Sequence, residues 1–101
     1  MAEDFKDRAQ AELAQTLFEV GIYRHHKGSL YTAFATSIDE ATLVTLVHYY
    51  SHVKHTRWTR TLENFRQQVE LEDERGKVAR FEYMGPATTA ELCTACFDGA
   101  E

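Results

Sequence analysis

The first stretch of the chain, Glu3 to Phe18, has the pattern of an amphipathic helix. Its apolar residues recur every four positions, and charged or amide-bearing helix formers fill the positions between them. The stripe consists of Phe5, Ala9, Leu13 and Leu17, with Ala14 and Phe18 beside it. The pattern therefore predicts an N-terminal helix whose apolar stripe packs on the rest of the chain.

From Glu19 onwards the pattern is typical of short strands. Aromatic and β-branched residues dominate 20–23, 30–37 and 57–60, and Lys27-Gly28-Ser29 is a turn signal. The segment 42–53 is ambiguous. Its residues Leu43, Val47 and Tyr50 have helical spacing, but its β-branched and aromatic content favours a strand.

The pattern after Arg60 predicts several short elements. Thr61 is suited to cap one helical turn over 62–65, and Val69 starts a hairpin with its turn near 73–76. Apolar and polar residues alternate over 78–84, which predicts one further strand. Residues 87–101 are small and polar with few apolar anchors, and indicate either a short packed helix or a frayed tail.

Together these elements predict a mainly β protein. About five short strands in roughly 65 residues are too few for a large sandwich, whereas a small SH3-like β-barrel or roll buries both faces and leaves few edges open. We predict an N-terminal helical extension over 1–19, a small β-barrel domain over 20–84 and a C-terminal tail over 85–101.

The length and composition exclude several classes of protein. With 101 residues the chain is one domain, which excludes a multidomain enzyme. No apolar run approaches the roughly 20 residues of a membrane helix, and the N-terminus MAEDFKDRAQ lacks the apolar segment of a secretory signal. Two cysteines are too few for a disulfide scaffold. We therefore expect a cytoplasmic protein with no membrane association.

Charge is distributed unevenly along the chain. The net charge is −5, but residues 21–60 carry +3 and contain all five histidines, while 1–20 carry −3 and 61–101 carry −5. The acidic total argues against nucleic-acid binding by bulk charge. The basic centre is compatible with one local anion site, or with ordinary charge scatter on a solvated surface.

The central segment resembles a known family. The matching residues, in chain order, are Tyr23-Arg24-His25-His26-Lys27-Gly28, Tyr31, Leu46-Val47-His48-Tyr49, Trp58-Thr59-Arg60, Leu62, Phe65, Gly76 and Arg80-Phe81. From Val20 to Met84 the chain resembles the small bacterial proteins catalogued as domain of unknown function 1653. The resemblance implies a small SH3-like barrel and a strand at 42–53, and it implies no activity.

The chain departs from the family pattern at three positions. His26 stands where the family has an aromatic residue, and Thr61 where it has a proline. Ala41 stands where the family has a glutamate, with Glu40 one position earlier.

The run 23–28 is the first candidate site. Arg24 offers a rigid donor fork for phosphate or carboxylate, and Lys27 adds a second positive charge. Alternation along a strand places Tyr23 and His25 on the face opposite Arg24. The run predicts either an anion site or a turn fixed by an ion pair.

For the ion-paired alternative, the expected partner of Arg24 is Glu40 or Glu82.

The second candidate site combines aromatic rings with guanidinium groups. Trp58 and Arg60, together with Arg80 and Phe81, could form a surface on which a base or another planar group stacks. The favoured alternative is that Trp58, Phe65 and Phe81 belong to the core, with the two arginines as its polar lids.

The histidines and cysteines indicate no metal site. On a helix, His48 and His52 would share a face as in many zinc sites, but on a strand they lie about 13 Å apart. Cys93 and Cys96 form a lone CxxC pair without a second pair, and we expect reduced thiols. We therefore predict no metal and no cofactor.

We predict a non-enzymatic binding module for an anionic or planar ligand, such as a nucleotide or a short single-stranded nucleic acid. The alternatives are a module that binds an acidic or extended peptide, and a small enzyme that uses His25 as a base on a nucleotide-like substrate. We assign no catalytic residue. The predicted ligand-binding residues are Tyr23, Arg24, His25, Lys27, Tyr49, Trp58, Arg60 and Arg80.

Overall fold

The computed structural model describes the backbone of residues 2–97 and the side chains of residues 8–96. The elements in chain order are α1 (Ala2–Leu17), β1 (Gly21–His25), β2 (Leu30–Ile38), β3 (Thr45–Ser51), β4 (Arg57–Thr61), α2 (Leu62–Phe65), β5 (Gln68–Glu70), β6 (Lys77–Ala79), β7 (Phe81–Gly85) and α3 (Thr89–Phe97). The predicted strand within 42–53 is confirmed. None of the described helices is long and apolar enough to cross a membrane.

Five strands form one antiparallel sheet in the order β4-β3-β2-β1-β7, and β5 pairs with β6 in a separate hairpin. The large sheet is strongly curled. In a flat sheet β7 and β3 would lie about 14 Å apart, yet the ring centroids of Phe81 and Tyr49 are 5.4 Å apart. The mainly β fold with an N-terminal helix is confirmed.

Closure into a barrel is not confirmed. Within residues 2–97 no ladder joins β4 to β7, so the sheet remains open at these two edges. The SH3-like description stays a prediction.

The concave face of the curled sheet carries the core. Phe65 of α2 stacks on Phe81 at a centroid distance of 4.3 Å, and Tyr23 and Tyr49 meet Phe65 edge-on. Each ring buried in this way contributes about 1.5–3 kcal/mol. The prediction that Phe65 and Phe81 belong to the core is confirmed. The prediction that Trp58 joins them is wrong, because its side chain is 46% exposed at the edge strand β4.

The N-terminal helix forms, but only part of its predicted packing stripe is correct. Leu13 and Leu17 are 59% and 65% exposed, whereas Ala14 and Phe18, predicted beside the stripe, pack on the core, and Ala11 is buried. Polar anchors fix this orientation, since the Thr45 hydroxyl donates to the Ala11 carbonyl and the Gln15 amide donates to the Thr36 carbonyl. Phe5, which belongs to the predicted stripe, lies outside the described side chains.

The segment predicted as one strand over 78–84 is divided at Arg80. The backbone N–H of Arg80 donates to the carbonyl of Gln67, and its carbonyl accepts from the N–H of His26. Arg80 is thus bonded to the hairpin through its N–H and to the β1–β2 turn through its carbonyl, at the point where the chain passes from one sheet to the other. As a result β6 pairs with β5, and β7 pairs with β1.

Both predicted helical turns after Arg60 have defined caps. Thr61 accepts a hydrogen bond from the N–H of Asn64 and caps α2, as predicted. Of the two alternatives for the C-terminal segment, the helix is the correct one. α3 begins with a reciprocal capping box between Thr88 and Glu91. Cys93 and Cys96 are free and exposed.

Candidate ligand-binding site

All five strands of the sheet contribute to a concave surface at one end of the curl. We call this surface the aromatic cup, and it encloses about 210 Å³. It is lined by His25 (β1), Tyr31 (β2), Tyr49 (β3), Lys54 (the β3–β4 turn), Trp58 and Arg60 (β4), and Phe81 (β7).

The register of the strands explains why these side chains converge. Trp58 is the cross-strand partner of Tyr49, so the two rings lie on the same face. Arg60 follows Trp58 by two positions and therefore faces the same way. The rings of Tyr31 and Tyr49 meet at 5.5 Å, and the curl brings Phe81 within 5.5 Å of Tyr31.

Arg60 is held in one orientation by neutral groups. Its Nε donates to the Tyr49 hydroxyl at 2.8 Å, its Nη1 donates to the Asn64 side-chain oxygen, and its Cζ lies 5.7 Å from the centroid of the Phe81 ring. Helix α2 follows β4 directly, and its cap at Thr61 places Asn64 beside Arg60. The guanidinium group is thus fixed without the help of a carboxylate.

Neither cation of the aromatic cup has an acidic partner among residues 8–96. The two ion pairs found in this range are Arg24 with Glu82 and Arg75 with Asp73. Within this range the positive charges of Arg60 and Lys54 are therefore uncompensated. A fixed, uncompensated guanidinium group suits an incoming phosphate or carboxylate.

His25 stands in the aromatic cup as a neutral imidazole. Burial lowers its pKa to about 4, assisted by the positive charges of His26, Arg60, Lys27 and Arg80. Its Nδ1 accepts the backbone N–H of Lys27 at 3.2 Å, so the neutral ring carries its proton on Nε2. At neutral pH this side chain offers a hydrogen-bond donor and no charge.

A second cavity, of about 540 Å³, shares His25 with the aromatic cup. We call it the turn pocket; it is lined by Arg24, His25, His26, Lys27, Gly28, Arg75, Val78, Ala79 and Glu82. Gly28 adopts φ +106°, a conformation that favours glycine and closes the β1–β2 turn. Arg24 pairs with Glu82 at 2.7 Å, which is one of the two partners predicted from the sequence.

The predicted ligand-binding residues are divided among several places. His25, Tyr49, Trp58 and Arg60 meet in the aromatic cup, and Arg24 and Lys27 line the turn pocket. The other two, Tyr23 and Arg80, line neither cavity.

Tyr23 is buried in the core. Its hydroxyl donates to the Glu19 carbonyl at 2.6 Å, and burial together with the charge of Glu19 raises its pKa to about 12. Arg80 lies at the junction of β6 and β7. Its Nη2 donates to Gln67, and its Nε is buried with no hydrogen-bond partner within the described part of the chain.

Three residues of the aromatic cup were not predicted as ligand-binding. Tyr31 and Phe81 belong to the sequence pattern that carries the family resemblance, and this pattern is the signal that could have identified them. Phe81 was also part of the second candidate surface, although it was not selected as a ligand-binding residue. Lys54 lies in the turn between β3 and β4, and only the folded sheet brings it to the cup.

The remaining histidines are bound to hydroxyl groups. His48 contacts Ser37 and Thr59, His52 contacts Thr32 at 2.6 Å, and His55 contacts Tyr50 at 3.0 Å. Over the described residues there is no group of three His, Cys, Asp or Glu side chains that could hold a metal ion.

Comparison with known proteins places the aromatic cup inside a family domain. The family described as protein of unknown function (DUF1653) matches residues 21–83, which include every residue of the cup. A crystal structure of a protein belonging to DUF1653 from Bordetella bronchiseptica is similar, with a TM-score of 0.62 and 28% identity over 73% of this chain and 96% of that chain. No curated protein matches the chain. The chain belongs to the DUF1653 family, as its sequence pattern predicted.

Proposed function

We propose that this protein is a binding module whose aromatic cup takes an anionic ligand with a planar ring, of the nucleotide class. Arg60 and Lys54 bind the anionic group, and Trp58 stacks on the ring. The observation that carries the proposal is the orientation of Arg60, which neutral partners fix beside an exposed tryptophan.

Two contributions to the free energy of binding favour such a ligand. The partners of Arg60 restrict its side chain before binding, so less conformational entropy is lost when an anion arrives. A base stacked on an aromatic ring contributes about 1–3 kcal/mol, and the half-exposed Trp58 offers one face for this. A ligand that carries both an anionic group and a planar ring would gain from both contributions.

Binding is a better description than catalysis for this surface. No carboxylate is among the described residues that line the aromatic cup, and a histidine whose pKa is about 4 is a weak general base at neutral pH. In this proposal the curled sheet with α2 corresponds to an SH3-like roll, whose mouth holds the ligand.

A second candidate function rests on strand β4. This strand is at an edge of the sheet, and the described residues pair it with β3 alone. An extended acidic peptide could add to this edge and place a carboxylate near Arg60. Such binding would depend on backbone pairing along β4 as well as on Arg60.

The fluorescence of Trp58, the single tryptophan, tests the first candidate. Titration with adenosine monophosphate at low salt should quench this emission, and the quenching should weaken as salt rises. The variant Arg60→Gln should lose the response, whereas Lys77→Gln, on the separate hairpin, should retain it. A flat titration at low salt would reject the proposal, and quenching by an oligoglutamate instead would favour the peptide candidate.

A further inference from the structure

The two cavities share one lining side chain. His25 lines both the aromatic cup and the turn pocket, and its ring lies 5.1 Å from Phe81 and 4.3 Å from His26. Phe81 belongs to the cup and His26 to the turn pocket. The cup and the turn pocket therefore adjoin at His25, and a ligand that extends from the cup past this ring would reach the turn pocket.

Arg80 occupies the junction between the cavities. Its neighbour Ala79 lines the turn pocket and its other neighbour Phe81 lines the aromatic cup, while the Arg80 carbonyl accepts a hydrogen bond from His26. The Nε of Arg80 is a buried donor without a partner in the described part of the chain. A buried donor left without an acceptor is costly. The other end of the same guanidinium group is exposed, where its Nη2 donates to Gln67 at 3.3 Å, and this end carries a charge that a nearby phosphate can reach.

Four cations around His25 lack a carboxylate partner among the described side chains. They are Lys54 and Arg60 at the aromatic cup, Arg80 at the junction and Lys27 at the turn pocket. We call this set the cationic track. By contrast, Arg24 and Arg75 in the turn pocket are neutralised by their own acidic neighbours. The uncompensated charges therefore follow a path from one cavity to the other.

The size of the aromatic cup favours a ligand that extends beyond it. Its volume of about 210 Å³ lies below the roughly 300–1,000 Å³ of sites that enclose a whole small molecule. The cup can take one ring or one anionic group, and the rest of the ligand must lie outside. The larger turn pocket, of about 540 Å³, is the adjoining space.

We propose that the ligand is a short single-stranded nucleic acid, with one base in the aromatic cup and its backbone crossing Arg80 into the turn pocket, where Lys27 binds a further phosphate. This inference rests on the proposed function of the cup and specifies its ligand. A polyanion of repeated phosphates matches a row of separated cations, whereas a nucleoside monophosphate would leave most of them unused. Base stacking on one aromatic residue is tolerant of sequence, so we expect weak sequence preference.

A length series of ligands tests the proposal. The intact chain is titrated with thymidine 5′-monophosphate and with oligothymidylates of two, three and four nucleotides, and Trp58 fluorescence is recorded. Affinity should rise at least tenfold from one to three nucleotides and then level off. The dependence of log affinity on log salt should steepen by about 0.7 for each added phosphate contact.

The variant Lys27→Gln separates the two cavities. It should weaken binding of the trinucleotide about three- to tenfold and leave the monophosphate unchanged, while Lys77→Gln changes neither. Equal affinities across the length series would contradict the proposal that the ligand follows the cationic track into the turn pocket, and so would a Lys27→Gln variant that binds the trinucleotide normally. Either result would leave the proposed function of the aromatic cup intact. If no member of the series binds at low salt, both proposals fail, and tighter binding of an oligoglutamate would replace the nucleic acid with an acidic peptide.

Discussion

The Nε of Arg60 on β4 donates to the hydroxyl of Tyr49 on β3 at 2.8 Å. Their strands are neighbours, and α2 completes the arrangement through Asn64. The bond orients a cation with an oxygen that carries no charge. The guanidinium group is therefore ordered and still available to an anion.

Removing the Tyr49 hydroxyl should loosen Arg60 without changing the shape of the aromatic cup. For Tyr49→Phe we expect a loss of about 0.5–1.5 kcal/mol in the free energy of unfolding and a three- to tenfold weaker affinity for adenosine monophosphate. The matched control is Tyr31→Phe, which removes a hydroxyl from the same cup and leaves Arg60 untouched. Equal effects of the two variants on affinity would contradict the role of the Arg60–Tyr49 bond.

A carboxylate placed beside Arg60 should compensate its charge and so prevent an anion from binding there. Asn64→Asp keeps the side-chain shape but gives Arg60 a charged partner, so we expect at least tenfold weaker nucleotide binding with unfolding stability maintained. Asn64→Ala removes the same contact without adding charge, and its affinity should remain above that of Asn64→Asp. If Asn64→Asp binds as tightly as the unaltered chain, Arg60 is not the anion receptor.

His25 makes stability depend on pH in a defined direction. Its folded-state pKa of about 4 lies below the usual value of 6.5, so the unfolded chain binds the proton more readily. Stability should be fully present above pH 6.5 and fall as pH decreases towards 4, by about 1–2 kcal/mol once the partial exposure of the ring is allowed for. Chemical denaturation at pH 7 and pH 4.5 measures this change.

The variant His25→Asn should reduce that pH dependence, and His48→Asn is the matched control on the neighbouring part of the sheet. A bound nucleotide should also raise the pKa of His25, because an anion favours the imidazolium form. Titration of the His25 ring by NMR, with and without adenosine monophosphate, reports this shift. A pKa that stays unchanged in the complex would place the anion away from His25.

The packing of α1 and of Phe18, which follows it, predicts that alanine substitutions lower the free energy of unfolding by unequal amounts. Phe18→Ala should lower the free energy of unfolding by about 3–5 kcal/mol, because Phe18 is buried against Tyr23 and Phe65. Leu13→Ala and Leu17→Ala should each change it by less than about 0.5 kcal/mol, since both side chains are mostly exposed. Urea denaturation of the three variants decides between the observed face and the stripe predicted from the sequence.

The sequence correctly predicted those helices and strands that depend on interactions between residues close together in the chain. Thr61 capped α2 as expected, because an N-cap acts on the N–H groups of the next turn. The β-branched residues of 45–51 favoured a strand and formed one. The side of α1 that packs was not predictable in this way, because both sides carry apolar residues and the choice depends on bonds to Thr36 and Thr45, distant in sequence.

The sequence predicted which types of residue form the candidate site, but it did not predict which of those residues the fold brings together. Alternation correctly separated Arg24, which is exposed and forms an ion pair with Glu82, from the buried Tyr23, but His25 at the end of β1 lines the turn pocket together with Arg24. The convergence of His25, Trp58 and Arg60 depends on the curl of the sheet, which no local pattern encodes. Lys54 illustrates the same limit, since a turn residue reaches the aromatic cup only in the folded chain.

The most direct test of the account is an NMR map of the side-chain N–H groups during titration with adenosine monophosphate at low salt. We predict that the Nε–H of Arg60 and the indole N–H of Trp58 shift first and to the greatest extent, with smaller changes at Lys54. Shifts confined to residues outside both cavities, such as Thr32, His52 and the residues of α3, would contradict the account.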